Sequence, residues 1–224
     1  MSIFMNIAID GPSASGKGTI ARRLAEHFHL SYLDTGALYR AVAKHILDQG
    51  KNPDSPEDAV ASAIYVRDHL SWEMLEDQAL RNDVVAEATS RSSQIPEVRE
   101  ILKDTQRQFA QHPPHKPDLK PWAGSILDGR DIGTVICPDA TIKFFITASP
   151  EVRAQRRTKE LLSKGIDTTY EAVLMDMKNR DSRDRNRSIA PAHAAKDAII
   201  LDTSDLTADA VFEKACDLIK EKLA

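Results

Sequence analysis

The chain has 224 residues, 42% of them hydrophobic and 29% charged, which suits one globular domain with a mobile insertion and excludes a fibrous protein. A net charge of −4 provides no basic field for nucleic acid, and no apolar run reaches the roughly 18 residues that cross a bilayer. We predict no signal peptide. Two cysteines without metal-ligand spacing favour a reducing compartment, the cytoplasm.

Short apolar segments alternate with amphipathic helical patterns, which predicts an α/β fold with a parallel sheet flanked by helices. Strands are expected over 3–9, 31–33, 125–128, 141–147 and 198–201. Helices are expected over 17–28, 37–47, 56–67, 84–93, 97–110, 150–164, 168–185 and 205–223. Alternating polarity at 70–74 and 79–81 predicts a small hairpin, and four prolines within 112–122 predict an irregular loop.

A glycine-rich loop follows the first strand and opens the first helix. Glycines let backbone N–H groups point at phosphate, the helix N-terminus adds partial positive charge, and Lys17 would reach the β- and γ-phosphates. A plain turn would explain the glycines but not the lysine. Because Gly18 stands where the common pattern has Ser or Thr, Thr19 is expected to approach Mg²⁺ through water. The predicted ATP-binding residues of the loop are Gly11, Pro12, Ser13, Ala14, Ser15, Gly16, Lys17, Gly18 and Thr19.

Three further motifs follow in order, over 34–40, 128–134 and 179–187. Together with the G-K-G-T loop they resemble the bacterial cytidylate kinases, a family of nucleoside monophosphate kinases, over about residues 5–223. The resemblance implies a P-loop fold that phosphorylates CMP and dCMP with Mg²⁺ and ATP by in-line transfer. It implies a core of 1–35, 123–158 and 188–224, a monophosphate-binding insertion of 36–122 and a lid of 159–187. We expect a cytoplasmic monomer that binds neither nucleic acid nor membrane.

The resemblance also implies a set of phosphate-binding arginines. A nucleoside monophosphate is already largely dianionic at neutral pH, so it needs charge neutralisation and alignment and no general base. Arg40, Arg130 and Arg187 are expected to hold the acceptor or transferring phosphates. Arg153 and Arg157 are expected to face ATP from a closing lid. The alternative for each arginine taken alone is an exposed helical charge. The predicted catalytic residues are Lys17, Arg130, Arg157 and Arg187.

Cytosine presents an amino donor beside an acceptor, and a carboxylate with an arginine or hydroxyl can bind this pair. The resemblance implies Asp131, Arg99 and Ser90 for the base, and Arg180 and Asp184 for the sugar. At a strand end, Asp128 could also orient Mg²⁺ through water or act as a structural cap. The predicted CMP-binding residues are Thr35, Tyr39, Arg40, Ser90, Arg99, Asp128, Arg130, Asp131, Arg180, Asp184 and Arg187.

Other functions stay open from the sequence. A shikimate or gluconate kinase would share the fold, although the long acidic insertion and residues 128–134 argue against it. A regulatory module could hold ATP without turnover, although the many arginines argue against that. RNA binding by the arginine-rich segment near 183–187 is a weaker alternative, whose signature would be a steep salt dependence.

Overall fold

The computed structural model of the chain describes residues 4–114, 120–186 and 189–223. The chain divides into two compact units, the first formed by Met1–Leu33 with Pro113–Ala224 and the second by Asp34–His112. The insertion predicted over 36–122 and the lid predicted over 159–187 stay predictions as functional parts. Among the described residues, no helix is both long and apolar enough to span a bilayer.

Within the described residues the first unit is built on a five-stranded sheet in the order β2-β3-β1-β4-β5. Neighbouring strands run parallel where β1 pairs with β3 and β4, and where β4 pairs with β5. Asp10 at the end of β1 is in register with Gly129 at the end of β3, so the segments that follow these strands begin side by side. The strands are β1 Met5–Asp10, β2 Ser31–Asp34, β3 Gly124–Gly129, β4 Ile142–Thr147 and β5 Ile199–Asp202.

Helices α1 and α9 pack together and bury apolar side chains against this sheet, with Leu24 and Ile219 fully buried beside Ile7 and Phe144. Helices α7 and α8 pack on each other through a smaller apolar cluster that includes Leu161. The helices are α1 Lys17–Phe28, α2 Thr35–Asp48, α3 Pro56–Asp68, α4 Trp72–Glu76, α5 Asp83–Ser92, α6 Pro96–Gln111, α7 Pro150–Ser163, α8 Tyr170–Asn186 and α9 Ala208–Leu223.

The second unit is helical over its described residues. Helix α2 packs against α3 and α5, and α3 packs against α6. Val42, Ile46 and Leu102 are fully buried among these helices. The Ser55 hydroxyl accepts a hydrogen bond from the backbone N–H of Asp58 and so caps α3 at the position that the sequence predicts. This unit therefore has an apolar core of its own.

The predicted α/β fold class is confirmed, but the hairpin predicted over 70–74 and 79–81 is wrong. The structure has helix α4 and a 3₁₀ turn, Gln78–Arg81, in its place. The Ser71 hydroxyl accepts from the Met74 N–H at 3.2 Å, and the Asp77 carboxylate accepts from the Ala79 N–H at 2.8 Å. These caps begin two short helical turns, because local hydrogen bonds outweigh a weak alternation of polarity. The predicted loop over 112–122 lies partly outside the described residues.

Candidate active site

The loop between β1 and α1 has a backbone that requires glycine at its start. Gly11 has a φ of +150°, and a β-carbon there would lie 2.0 Å from the Ile146 carbonyl oxygen. Lys17 begins α1, and its Nζ donates a hydrogen bond to the Pro12 carbonyl oxygen at 3.4 Å. The Ser15 hydroxyl is buried and has no hydrogen-bond partner among the described residues. The loop is thus close-packed around the buried Ser15 hydroxyl, with the Lys17 ammonium held at its backbone.

The contact with Asp128 explains the glycine at position 18. Asp128 is buried at the end of β3, and a β-carbon on Gly18 would lie 3.1 Å from its Oδ2 atom. The same Oδ2 accepts a hydrogen bond from the Tyr32 hydroxyl at 3.3 Å. The Asp128 carboxylate therefore lies against Gly18 in the first turn of α1, and the next residue, Thr19, is exposed. The roles predicted for Asp128 in binding CMP and Mg²⁺ stay predictions.

A buried carboxylate holds the segment that contains Asp131. Residues Ile132–Ile136 form a π-helical turn that the sequence did not predict, and Asp131 directly precedes it. The two carboxylate oxygens of Asp10 accept hydrogen bonds from the backbone N–H groups of Ile132 and Gly133, each at 2.8 Å. Asp10 also directly precedes Gly11. The only signal for it in the sequence was an acid placed between an apolar strand and the phosphate-binding loop.

Asp10 makes the stability of the protein depend on pH near neutrality. Burial raises the pKa of Asp10 from 3.8 to about 6, although the N–H groups of Gly133 and Ile132 and the charge of Arg130 oppose the rise and Asp131 adds to it. The native state therefore binds this proton more tightly than the unfolded state does. As the pH falls through about 6, Asp10 therefore contributes stability that it does not contribute at neutral pH.

We expect the free energy of unfolding of the wild type, relative to Asp10→Asn, to rise by roughly 1 kcal/mol between pH 7.5 and pH 5. Denaturant titrations of both proteins at both pH values measure this. Asp139→Asn, at an exposed acid in the loop after the turn, should show no such pH dependence relative to the wild type. A difference between the wild type and Asp10→Asn that is equal at the two pH values would contradict the assignment.

Arg130 and Arg157 lie close enough to Arg180 to lower its pKa, and we call these three arginines of the first unit the guanidinium cluster. Burial lowers the pKa of Arg180, and the positive charges of Arg130 and Arg157 lower it further, against the charges of Asp176 and Asp184. The charged form of Arg180 is thus incompletely compensated by the protein. An anion bound beside it would supply the missing charge.

Arg130 connects this cluster to β3 and α8. Its Nε donates to the Asp184 Oδ2 at 3.0 Å and its Nη1 donates to the Gly129 carbonyl oxygen at 3.1 Å. Burial alone lowers the pKa of Arg130, but the charges of Asp184, Asp128 and Asp181 together raise it above its usual value. The predicted sugar-binding residues Arg180 and Asp184 are therefore brought together with Arg130. Arg187 lies outside the described residues.

The two arginines predicted to face ATP have different surroundings. Arg157 is partly exposed on α7 and pairs with Glu160 at 3.0 Å. Arg153 is buried, and its guanidinium bonds to Asp181 and to the Ser13 carbonyl oxygen of the loop. The side chain of Arg153 is thus held by protein groups against the loop backbone. Direct contact of either arginine with ATP stays a prediction.

The second unit contains the remaining predicted CMP-binding residues. Arg40 on α2 pairs at 2.7 Å with Asp34, which directly precedes this helix and its buried first residue, Thr35. The Arg99 guanidinium lies over the Tyr39 ring, 5.3 Å from its centroid. The contact between Arg99 and Tyr39 joins α6 to α2. Thr35 and Arg40 lie on the same helix as Tyr39.

The predicted base-binding set divides between the two units. Asp131 belongs to the first unit, whereas Ser90 on α5 and the buried Arg99 on α6 belong to the second. The backbone carbonyl of Ser90 accepts a hydrogen bond from Gln94 one turn further along the chain. Roles for Thr35, Tyr39, Arg40, Ser90 and Arg99 in binding CMP stay predictions.

Two sequence comparisons with known proteins agree on one family. The cytidylate kinase family model matches residues 7–221. A cytidylate kinase of Rhodospirillum rubrum is 49% identical over 97% of this chain and 98% of its own length, and one of Paramagnetospirillum magneticum is 50% identical over 96% and 98%. Among solved structures, an uncharacterized protein from Eubacterium ventriosum superposes with a TM-score of 0.54 at 15% identity, over 96% of this chain and 98% of that one, which supports the fold alone.

Proposed function

The chain belongs to the cytidylate kinase family of phosphotransferase enzymes, and on this premise we propose that it transfers the γ-phosphate of ATP to CMP and dCMP. The observation that supports this most is the guanidinium cluster, because the buried Arg180 is incompletely compensated beside Arg130 and Arg157 and the cluster lies in the same unit as the phosphate-binding loop. Family membership favours this activity over the shikimate kinase, gluconate kinase and regulatory functions that the sequence left open.

We propose that the phosphate-binding loop and the guanidinium cluster have different roles in phosphoryl transfer. Backbone N–H groups of the loop and the Lys17 ammonium bind the β- and γ-phosphates of ATP. Arg130 and Arg157 stabilise the charge that spreads over the transferring group. Because the acceptor phosphate is already largely dianionic, these cations align and neutralise it without removing a proton. Arg187 is assigned to the same task by resemblance.

Mg²⁺ would bind together with ATP. This hard cation prefers oxygen ligands, and substrate phosphates usually supply most of them beside one or two protein carboxylates. The Thr19 hydroxyl and the Asp128 carboxylate offer such oxygens next to Gly18, and these residues would hold the ion, directly or through water. Across residues 4–114, 120–186 and 189–223, no group of three or more His, Cys, Asp or Glu residues could hold a metal. This donor set fits an ion bound together with nucleotide phosphates. When bound, the ion neutralises phosphate charge.

A substrate panel tests the proposed activity. Steady-state phosphorylation is measured with Mg·ATP and CMP, dCMP, UMP, AMP or shikimate. We expect CMP and dCMP to give the highest kcat/KM. If UMP or a non-nucleotide were clearly the best acceptor, the cytidine specificity would be lost while the ATP-binding role of the loop would stand.

Asp131 is proposed to accept a hydrogen bond from the amino group of cytosine. Asp10 holds its position by accepting a hydrogen bond from the N–H of the next residue, Ile132. Asp131→Ala should lower the ratio of kcat/KM for CMP over UMP about ten- to hundredfold, because a mispaired buried polar group costs about 1–3 kcal/mol. Asp139→Ala, at an exposed acid in the loop after the same turn, is the matched control and should keep the ratio. An unchanged ratio in Asp131→Ala would mean that other residues recognise the base.

We propose that the enzyme is a monomer of the cytoplasm. Its two cysteines, Cys137 and Cys216, are both buried thiols outside any disulfide. Structural thiols of this kind stay reduced in that compartment. Sedimentation equilibrium at micromolar concentration, with and without nucleotides, measures the oligomeric state, and a stable dimer would contradict the proposal.

A further inference from the structure

A buried ion pair joins α7 to α8 in the first unit. The Arg153 Nη2 lies 2.5 Å from the Asp181 Oδ2, and its Nη1 lies 3.2 Å from the Asp181 Oδ1. The two side chains are only 1% and 9% exposed. Two parallel hydrogen bonds between a guanidinium and a carboxylate restrict both the distance and the relative orientation of the groups. The pair therefore sets the position of α8 relative to α7 at this point.

The same guanidinium also holds the phosphate-binding loop. Its Nη1 donates to the Ser13 carbonyl oxygen at 3.2 Å, and its Nε donates to the Ala148 carbonyl oxygen at 3.0 Å, just before α7. With the two bonds to Asp181, these contacts account for four hydrogen bonds of a side chain that has five N–H groups in a rigid plane. A shift of the Ser13 carbonyl therefore changes the orientation that Arg153 presents to Asp181.

Helix α8 carries residues that we assign to the acceptor nucleotide. Arg180 directly precedes Asp181, and Asp184 follows it by three positions and bonds to Arg130. Side chains three or four positions apart on a helix lie near one another, so Asp184 lies on the same side of α8 as Arg180 and Asp181. One guanidinium thus connects the loop to the helix segment that contains Arg180 and Asp184.

We propose that Arg153 and Asp181 are positioning residues that couple nucleotide binding at the loop to acceptor binding at α8. The inference rests on the proposed function, because it takes ATP and CMP as the two ligands. ATP that orders the Ser13 segment would, through Arg153, hold α8 where Arg180 and Asp184 meet CMP. Coupling of this kind is reciprocal, so each nucleotide tightens the binding of the other by the same factor.

A purely structural ion pair is the alternative, and a double substitution separates the two roles. Replacing a buried ion pair by apolar side chains of similar volume is often neutral or stabilising. Arg153→Met combined with Asp181→Val should therefore keep the fold and remove the polar link to the Ser13 carbonyl. Asp181→Asn is a second variant, which keeps the shape and removes one charge.

The experiment is a calorimetric titration of CMP, with and without a nonhydrolysable ATP analogue. In the wild type we expect the analogue to tighten CMP binding at least about fivefold, the lower end of usual coupling. In both variants we expect the factor to fall to within about twofold of unity. Glu151→Gln with Lys178→Gln is the matched control, because this exposed pair also joins α7 to α8, at 3.8 Å, and should keep the wild-type factor.

The outcomes separate the inference from the proposed function. Folded variants, judged by thermal unfolding, that keep the wild-type factor would overturn the inference, as would a wild type that binds CMP without coupling. An equal loss of coupling in the Glu151 and Lys178 control would also overturn the inference, because any contact between α7 and α8 would then be enough to couple the two sites. A wild type that binds no CMP at all would overturn the proposed function itself. Should the double variant fail to fold, Asp181→Asn decides.

Discussion

Replacing Lys17 by alanine is expected to lower kcat/KM by at least about 10³-fold with the fold retained. The Lys17 ammonium lies over the loop at the N-terminus of α1, where negative charge develops on the transferring phosphoryl group. No other Lys or Arg belongs to the loop, so its charge has no replacement there. Since Lys17 is only partly buried, its truncation should cost little stability.

A coupled assay with Mg·ATP and CMP measures the loss, and circular dichroism with thermal unfolding verifies the fold. Lys164→Ala, at an exposed lysine just after α7, is the matched control and should keep wild-type kinetics. Activity of Lys17→Ala within tenfold of the wild type would remove the ammonium from the mechanism.

Replacing Arg130 by methionine is expected to lower kcat/KM about 10²- to 10³-fold, mostly in kcat. The apolar stem is kept, but the guanidinium that stabilises the transferring group is lost. Asp184 also loses its partner at 3.0 Å, which weakens the assigned sugar contact and should raise KM for CMP more than KM for ATP. Arg130→Lys should recover only part of the activity, because an ammonium cannot bond to phosphate and Asp184 in the same planar arrangement.

Steady-state kinetics with each nucleotide varied in turn separate these effects, and denaturant unfolding reports the stability cost. Arg67→Met is the control, since Arg67 is exposed and pairs with its sequence neighbour Asp68. If kcat and both KM values of Arg130→Met stayed within twofold of the wild type, Arg130 would have no part in phosphoryl transfer.

Local sequence patterns correctly predicted helices whose bounds depend on interactions between residues close together in the chain. The helix expected over 17–28 has the bounds of α1, because one helix face, which includes Ile20 and Leu24, must be buried against the sheet. The helix expected over 56–67 begins where α3 begins, because the capping Ser55 hydroxyl and the fixed φ of Pro56 act within a single turn. Local reasoning was wrong at 70–81, where Ser71 and Asp77 cap helical turns in a segment that also alternates in polarity.

The sequence by itself determined the fold class, the phosphate-binding loop and the motifs of the family, because each depends on residues close together in the chain. Only the tertiary structure decided that Asp10 holds the turn after Asp131, that Asp128 lies against Gly18, and that Arg153 is buried on Asp181. These contacts join segments from different strands and helices, and parallel pairing of β1 with β3 brings the first two together. Burial and charge at such contacts depend on distance in space, which residue spacing does not specify.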